Sequence, residues 1–193
     1  MGKVVVMNHM TLDGVMQGPG RPDEDPRGGF RDGGWAVPYA DEATVRKMGE
    51  LMGPDHAFLF GRHTYEQLLE SWNARGGPFK DALNNTPKYV VSKNPALELK
   101  WPNSALLRID VSAAVQELRD TSPLNLVLMG SGVLLRTLMA SDQIDEYLLM
   151  IHPLVLGSGQ RLFGGGNPTP LRLIEAEATP TGVILARYTP DRR

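Results

Sequence analysis

Three short segments combine residue types suited to holding an anion. In Phe60-Gly61-Arg62-His63-Thr64-Tyr65 an apolar run breaks on a glycine, and a guanidinium, an imidazole and a hydroxyl follow. Glycine lets the chain turn closely after a strand, and a helix starting there offers backbone N–H groups and the positive end of its dipole. Arg62 adds charge-assisted hydrogen bonds, which suits a phosphate. A surface arginine beside an N-capping threonine accounts for the same residues. Met129-Gly130-Ser131-Gly132-Val133-Leu134 repeats the order of strand, glycine and helix. It lacks the third glycine of a full dinucleotide fingerprint, so it reads either as an anion cradle or as a tight turn. In Val91-Ser92-Lys93 a hydroxyl and a cation follow a strand, suited to a further phosphate such as a 2′-phosphate or to a solvated strand exit.

For acid chemistry the candidates are Asp13, Asp41 and Glu42. Asp13-Gly14 is also a favourable turn pair, and Asp41 also suits a helix cap. A pocket carboxyl with a raised pKa would deliver a proton at neutral pH. Trp35 is a candidate pocket wall. His9, His56, His63 and His152 are scattered without a metal-ligand pattern, and there is no cysteine, so no metal site is expected.

The elements that must position these residues follow from the pattern of apolar runs. Val4–Met7, Ala57–Phe60, Tyr89–Val91, Ala105–Ile109, Leu126–Met129, Glu146–Ile151, Arg172–Ala178 and Gly182–Tyr188 read as strands. Helices are expected over Asp41–Met52, Thr64–Ser71, Val111–Arg119 and Val133–Ala140. Strands alternating with helices predict a mainly parallel α/β sheet, and the last strand pair, turning at Pro180-Thr181-Gly182, an antiparallel edge. Residues 17–34 are rich in glycine and proline and read as an extended active-site loop within a single domain spanning 1–193. The formal net charge is −2, so no field favours nucleic acid, and no run is long and apolar enough for a membrane helix. The absence of a signal-peptide pattern makes the cytoplasm the expected location.

Taken in order, Met10-Thr11-Leu12-Asp13-Gly14, Gly61-Arg62-His63-Thr64-Tyr65-Glu66, Gly130-Ser131-Gly132 and the stretch from His152 to Phe163 resemble the dihydrofolate reductase superfamily. More narrowly, they resemble bacterial proteins grouped with the C-terminal reductase domain of the riboflavin-pathway deaminase–reductase. The resemblance covers nearly the whole chain. It implies a dihydrofolate-reductase-like three-layer fold with helices on both faces of a mixed sheet, NADPH as hydride donor, a small-molecule substrate and a homodimer. On it, Gly61, Arg62, His63 and Thr64 fall near the pyrophosphate and Ser92 near the 2′-phosphate. Gly130, Ser131, Gly132, Val133 and Leu134 fall beside the diphosphate and nicotinamide. Trp35, Pro38 and Asp41 echo a Trp–Pro–Asp arrangement of folate reductases, which makes Asp41 the candidate catalytic acid, with Asp13 and Trp35 as candidate substrate contacts. Where the riboflavin-pathway enzymes carry an acidic residue two places before the glycine turn, Leu128 stands here. The expected activity is reduction of a C=N or C=O bond. The alternative is a non-catalytic nucleotide- or pterin-binding protein on the same scaffold.

Overall fold

The computed structural model describes residues 2–108, 110–165 and 168–192. Its strands are β1 (Val4–Thr11), β2 (His56–Gly61), β3 (Lys88–Val91), β4 (Ser104–Leu107), β5 (Asn125–Met129), β6 (Glu146–His152), β7 (Leu171–Ala178) and β8 (Ile184–Pro190). Its helices are α1 (Glu42–Met52), α2 (Arg62–Arg75), α3 (Pro78–Asn85), α4 (Val111–Thr121) and α5 (Gly132–Ala140). The strands form one eight-stranded mixed sheet in the order β4-β3-β2-β5-β1-β6-β8-β7. The α/β class with an antiparallel C-terminal edge is therefore as the sequence predicts. The chain divides into two compact units, Met1–Val5 with Met52–Ile144, and Val6–Leu51 with Asp145–Arg193.

In the first unit β2 pairs in parallel with both β3 and β5, and β3 in parallel with β4. A central parallel strand is covered on both faces, which is why Ala57–Phe60 is continuously apolar and at most 1% exposed. The helices bury their apolar stripes there: Tyr65 and Leu69 on α2, Leu83 on α3, Val115 on α4, and Leu134, Leu135 and Leu138 on α5. Asp110 caps α4 by accepting from the N–H groups of Ser112 and Ala113. Helix α3 escaped the sequence reading because Gly76-Gly77-Pro78 looks like loop punctuation. Gly77 caps the helix at φ 91°, and Pro78, with its fixed φ, occupies the first turn. At the other end of α3 the buried Lys88 ammonium donates to the carbonyls of Leu83, Asn84 and Thr86, and burial pulls its pKa down to about 8. The fourth strand was expected to run to Ile109, which lies outside the described residues.

In the second unit β6 pairs antiparallel with β8, and β8 with β7, where a bulge falls between Leu173 and Glu175. Glu146 and Arg187 form an ion pair at 2.7 Å across β6 and β8. Strand β1 extends beyond Val4–Met7 through residues whose polarity hides the strand, because Asn8 and Thr11 are buried. Residues 17–34 fold as a tethered loop. Gln17 is buried; its Nε2 donates to the carbonyls of Asp25 and Arg27, and its Oε1 accepts from the N–H of Gln160 at 2.8 Å. Val15, Phe30, Trp35 and Ala36, with Leu154 and Leu156, form a small apolar cluster beneath it.

Candidate functional site

The first unit joins two strand-to-helix turns. Strand β2 ends on Gly61, which is the N-cap of α2, and β5 leads through Gly130 to Ser131, the N-cap of α5. The Gly61 N–H donates to Ser131 Oγ at 2.7 Å, and that hydroxyl donates to Thr64 Oγ1 at 2.8 Å. One serine thereby ties the start of α2 to the start of α5. The glycines are sterically required. A Cβ on Gly61 would lie 2.7 Å from Ser131 Oγ, and one on Gly130, where φ is 66°, would lie 2.9 Å from Thr64 Cγ2. Ser131 is itself left-handed, at φ 61° and ψ 65°, a conformation that costs a non-glycine residue roughly 1–2 kcal/mol.

Neither N-cap residue, Gly61 or Ser131, caps its helix with a side-chain hydrogen bond. Two helix starts whose N-cap residues give no side-chain cap thus lie together with their positive dipole ends, the arrangement that favours phosphate. Arg62 is half exposed on the first turn of α2 and has Glu66 at 3.3 Å. Ser92 leaves β3, the neighbour of β2, and its Oγ accepts from the Asn94 N–H at 3.1 Å while its own hydrogen remains for donation. Val133 is exposed, whereas the Leu134 side chain is packed into the core, so only its backbone can face a ligand. The donors of this unit fit the diphosphate of a dinucleotide.

The second unit holds the acidic candidates and the aromatic one. Asp41 Oδ1 accepts from the Thr44 N–H at 2.7 Å, as a helix cap does, and Oδ2 accepts from Thr181 Oγ1 at 2.6 Å. Desolvation alone would raise this carboxyl, but the hydrogen bonds from Thr181, the Thr44 backbone and Thr179 outweigh it and bring the pKa to about 2. The expectation of a raised carboxyl pKa is therefore overturned. Asp41 is an ionised anion at neutral pH, bonded at both oxygens, because the β7–β8 turn supplies hydroxyls to it.

Asp13 is engaged in the same way. It accepts from Thr11 Oγ1 at 2.6 Å and from the N–H groups of Leu156 and Gly157 at 3.2 and 2.9 Å. The Thr11 bond is the main reason its pKa also falls to about 2. Its oxygens pin the segment after β6 to the turn after β1, and a staple of this kind is the turn reading of Asp13-Gly14.

Trp35 is buried; its Nε1–H donates to the Gln17 carbonyl at 2.7 Å, and its ring meets His152 edge-on at 5.1 Å. Tyr39 meets the same imidazole at 5.5 Å. Nδ1 of His9 lies 2.9 Å from Nε2 of His152. His152 is 2% exposed and His9 is half-buried. Burial, followed by the neighbouring His152, pushes His9 to a pKa of about 3. Burial pulls His152 to about 4 against the opposing pull of the Asp41 carboxylate. The two imidazoles are therefore neutral at pH 7. Sequence reasoning missed this pair because the residues stand 143 positions apart. The available signal was that each histidine sits in the last few residues of a strand, β1 or β6, where ligands of α/β sheets gather.

The model of the family described as the RibD C-terminal domain matches residues 2–185 of the chain. No curated protein matches the sequence. Among solved structures, a putative riboflavin biosynthesis protein from Shewanella sp. PV-4 is similar at 20% identity and a TM-score of 0.70, with all of both chains covered. Dihydrofolate reductase from Enterococcus faecalis, complexed with NADP(H), is similar at 13% identity and a TM-score of 0.67, over 98% of this chain and 97% of that one. A diaminohydroxyphosphoribosylaminopyrimidine deaminase/5-amino-6-(5-phosphoribosylamino)uracil reductase from Thermotoga maritima is similar at 15% identity and a TM-score of 0.67; 98% of this chain matches 56% of that chain. These likenesses establish a dihydrofolate-reductase-like fold. Among the described residues no helix is long and apolar enough to cross a membrane, and no cluster of three or more metal-ligating side chains occurs.

Proposed function

Because the chain belongs to the RibD C-terminal domain family, we propose that it is an NADPH-dependent reductase acting on a C=N or C=O bond of a small pterin-, pyrimidine- or carbonyl-type molecule. The observation that carries this reading is the pair of strand-to-helix turns in the first unit, tied together by Ser131. A structural turn has no need of two such helix starts held together, and a dinucleotide diphosphate does. When bound, NADPH supplies the hydride. Gly61, Thr64, Gly130, Ser131 and Gly132 bind its diphosphate through backbone N–H groups and hydroxyls, with Arg62 and His63 on the first turn of α2. Val133 and the Leu134 backbone flank the nicotinamide side, and Ser92 with Lys93 takes the 2′-phosphate.

In the second unit Asp41 acts as a fixed negative charge and not as a proton store. Its field opposes the loss of basicity that burial imposes on His152. Trp35 and Tyr39 wall the imidazole and keep water away from it. Leu128, fully buried on β5, stands where the resemblance places an acidic residue in the riboflavin-pathway enzymes, which supports a substrate other than theirs. A cytoplasmic homodimer belongs to the same reading, and sedimentation at micromolar concentration tests the dimer.

The decisive experiment is NADPH consumption against a panel of pterins, ring-opened pyrimidines and small carbonyl compounds. Turnover with one class is expected. Binding of NADPH without consumption across the panel favours the alternative, a nucleotide- or pterin-binding protein. Asp41→Asn is expected to lower turnover and to leave NADPH affinity within about twofold, since Asp41 is bonded to Thr44 and Thr181 and is not among the groups proposed to hold the cofactor.

A further inference from the structure

Four nitrogens define the imidazole pair: His9 Nδ1 and His152 Nε2, which meet at 2.9 Å, the buried Nδ1 of His152, and Nε2 of His9. Among the described residues His152 Nδ1 has no hydrogen-bond partner. Its surroundings include the rings of Trp35 and Tyr39. A neutral imidazole carries one proton, so two arrangements are open to the pair. If His9 donates from Nδ1, His152 must carry its proton on Nδ1 and leave a buried N–H with no acceptor. If His152 donates from Nε2, the orphan is a lone pair. Orphaned buried N–H groups are the rarer and costlier outcome, while an unfilled acceptor is better tolerated. The second arrangement therefore holds, and it fixes the tautomer of the partner. His9 accepts at Nδ1 and must carry its own proton on Nε2.

From this geometry we infer that His9 is the substrate-contacting residue of the second unit, a neutral Nε2–H donor suited to a carbonyl oxygen or imine nitrogen, and that His152 is the positioning residue that sets its tautomer. The chemistry suits the reaction proposed above. Hydride addition to the carbon of C=O or C=N leaves the electron pair, and a developing negative charge, on the heteroatom. A neutral N–H donor stabilises that charge, and the heteroatom then takes its proton from water, so that His9 ends as it began. Neutral imidazole serves as an electrophile of this kind where its pKa is depressed. Asp41 and Asp13 do not suit the role, because both are ionised acceptors with no proton to donate, held by Thr44 and Thr181 and by Thr11, Leu156 and Gly157. The ligand is accordingly a neutral molecule that presents an acceptor, not a cation seeking a carboxylate.

The reaction assigned to His9 rests on the reductase reading, but the tautomer rests on the pair alone, and the experiment separates the two. Imidazole nitrogens of the ¹⁵N-labelled full chain are observed at pH 7 through their long-range proton couplings. Both His9 and His152 are expected as Nε2–H tautomers. In His152→Leu, His9 is expected to lose its single tautomer and to titrate closer to the ordinary histidine range. An Nδ1–H tautomer at His9 in the wild type overturns the inference, as does a His9 spectrum unchanged in His152→Leu. Uracil, a neutral ring with two carbonyl acceptors, is expected to move the His9 Nε2 proton saturably; no movement up to its solubility limit overturns the contact. With a turned-over substrate, His9→Leu is expected to lower kcat about 10²-fold with little change in NADPH affinity, the loss typical of one removed donor, and His9→Gln to recover part of it. Full activity in His9→Leu overturns the assignment. Failure of NADPH to bind, with the tautomers and uracil response as expected, removes the reductase reading and leaves the donor site standing.

Discussion

The two units carry their functional groups by opposite strategies. In the first, the groups lie next to one another in sequence, and the fold brings two local motifs together with a single serine. In the second, they come from far apart: His9 and His152, Asp41 and Thr181, and Asp13 and Gly157 meet only after β1, α1, β6 and the β7–β8 turn have formed. Electrostatics differ as well. The first unit has positive dipole ends and an arginine, whereas in the second Asp13 and Asp41 are hydrogen-bonded anions beside two neutral imidazoles. Anion binding needs only backbone N–H groups at the right place, so glycine and a helix start suffice. Setting the protonation of a buried group needs several elements at once.

The comparison is broken most severely at Gly130. Gly130→Val forces a branched side chain against Thr64 at a left-handed position, and about 2–5 kcal/mol of stability should be lost by urea unfolding. NADPH affinity should fall at least tenfold, while the His9 and His152 resonances stay in place if the units respond separately. A change at the imidazoles as large as at the cradle would break the comparison.

Ser131 gives a smaller effect with a sharper sign. Ser131→Ala keeps the left-handed strain and loses both hydrogen bonds, which should cost about 1–3 kcal/mol. Ser131→Gly loses the same bonds but relieves roughly 1 kcal/mol or more of strain, so it should be the more stable of the two. Equal unfolding midpoints would argue that Ser131 does not bridge the turns.

The second unit predicts the acid response. His9 and His152 have pKa values lowered to about 3 and 4 from an ordinary value of 6.5. Between these limits the unfolded chain binds protons that the native one does not, so stability falls as the pH drops below about 6.5. Asp13 and Asp41 are held at about 2 against 3.8, so the stability they contribute is complete above about 4 and is lost as the pH falls toward 2. Both sets act in the same direction. In His152→Gln the slope of stability against pH between 6.5 and 4 should be shallower than in the wild type. An unchanged slope in a denaturant series would contradict the burial of a neutral pair.

The smallest effect is expected at Trp35. Trp35→Phe keeps an aromatic wall for His152 but loses the bond to the Gln17 carbonyl, a loss of about 1 kcal/mol. Amide exchange should quicken within residues 17–34 and not in the first unit.

How far the sequence could be read follows the same division. Strands β2, β5 and β6 were legible because buried parallel or central strands are continuously apolar, and the turns at Gly61 and Gly130 because a glycine between strand and helix has few other uses. The end of β1 was hidden by Asn8, His9 and Thr11, polar residues that the fold nevertheless encloses. Asp41 stands out in the sequence through its spacing from Trp35 and Pro38, but its protonation does not, because the hydroxyls of Thr179 and Thr181 lie about 140 positions away. The histidine pair shows no local pattern at all. Only the ends of two strands bring it together.

We propose that the two turns joined by Ser131 hold NADPH, and a titration followed by nicotinamide fluorescence reads that binding. Wild-type protein should saturate with NADPH, and Gly130→Val should bind at least tenfold more weakly under the same conditions. Absence of any saturable binding, or undiminished binding by a folded Gly130→Val variant, would contradict it.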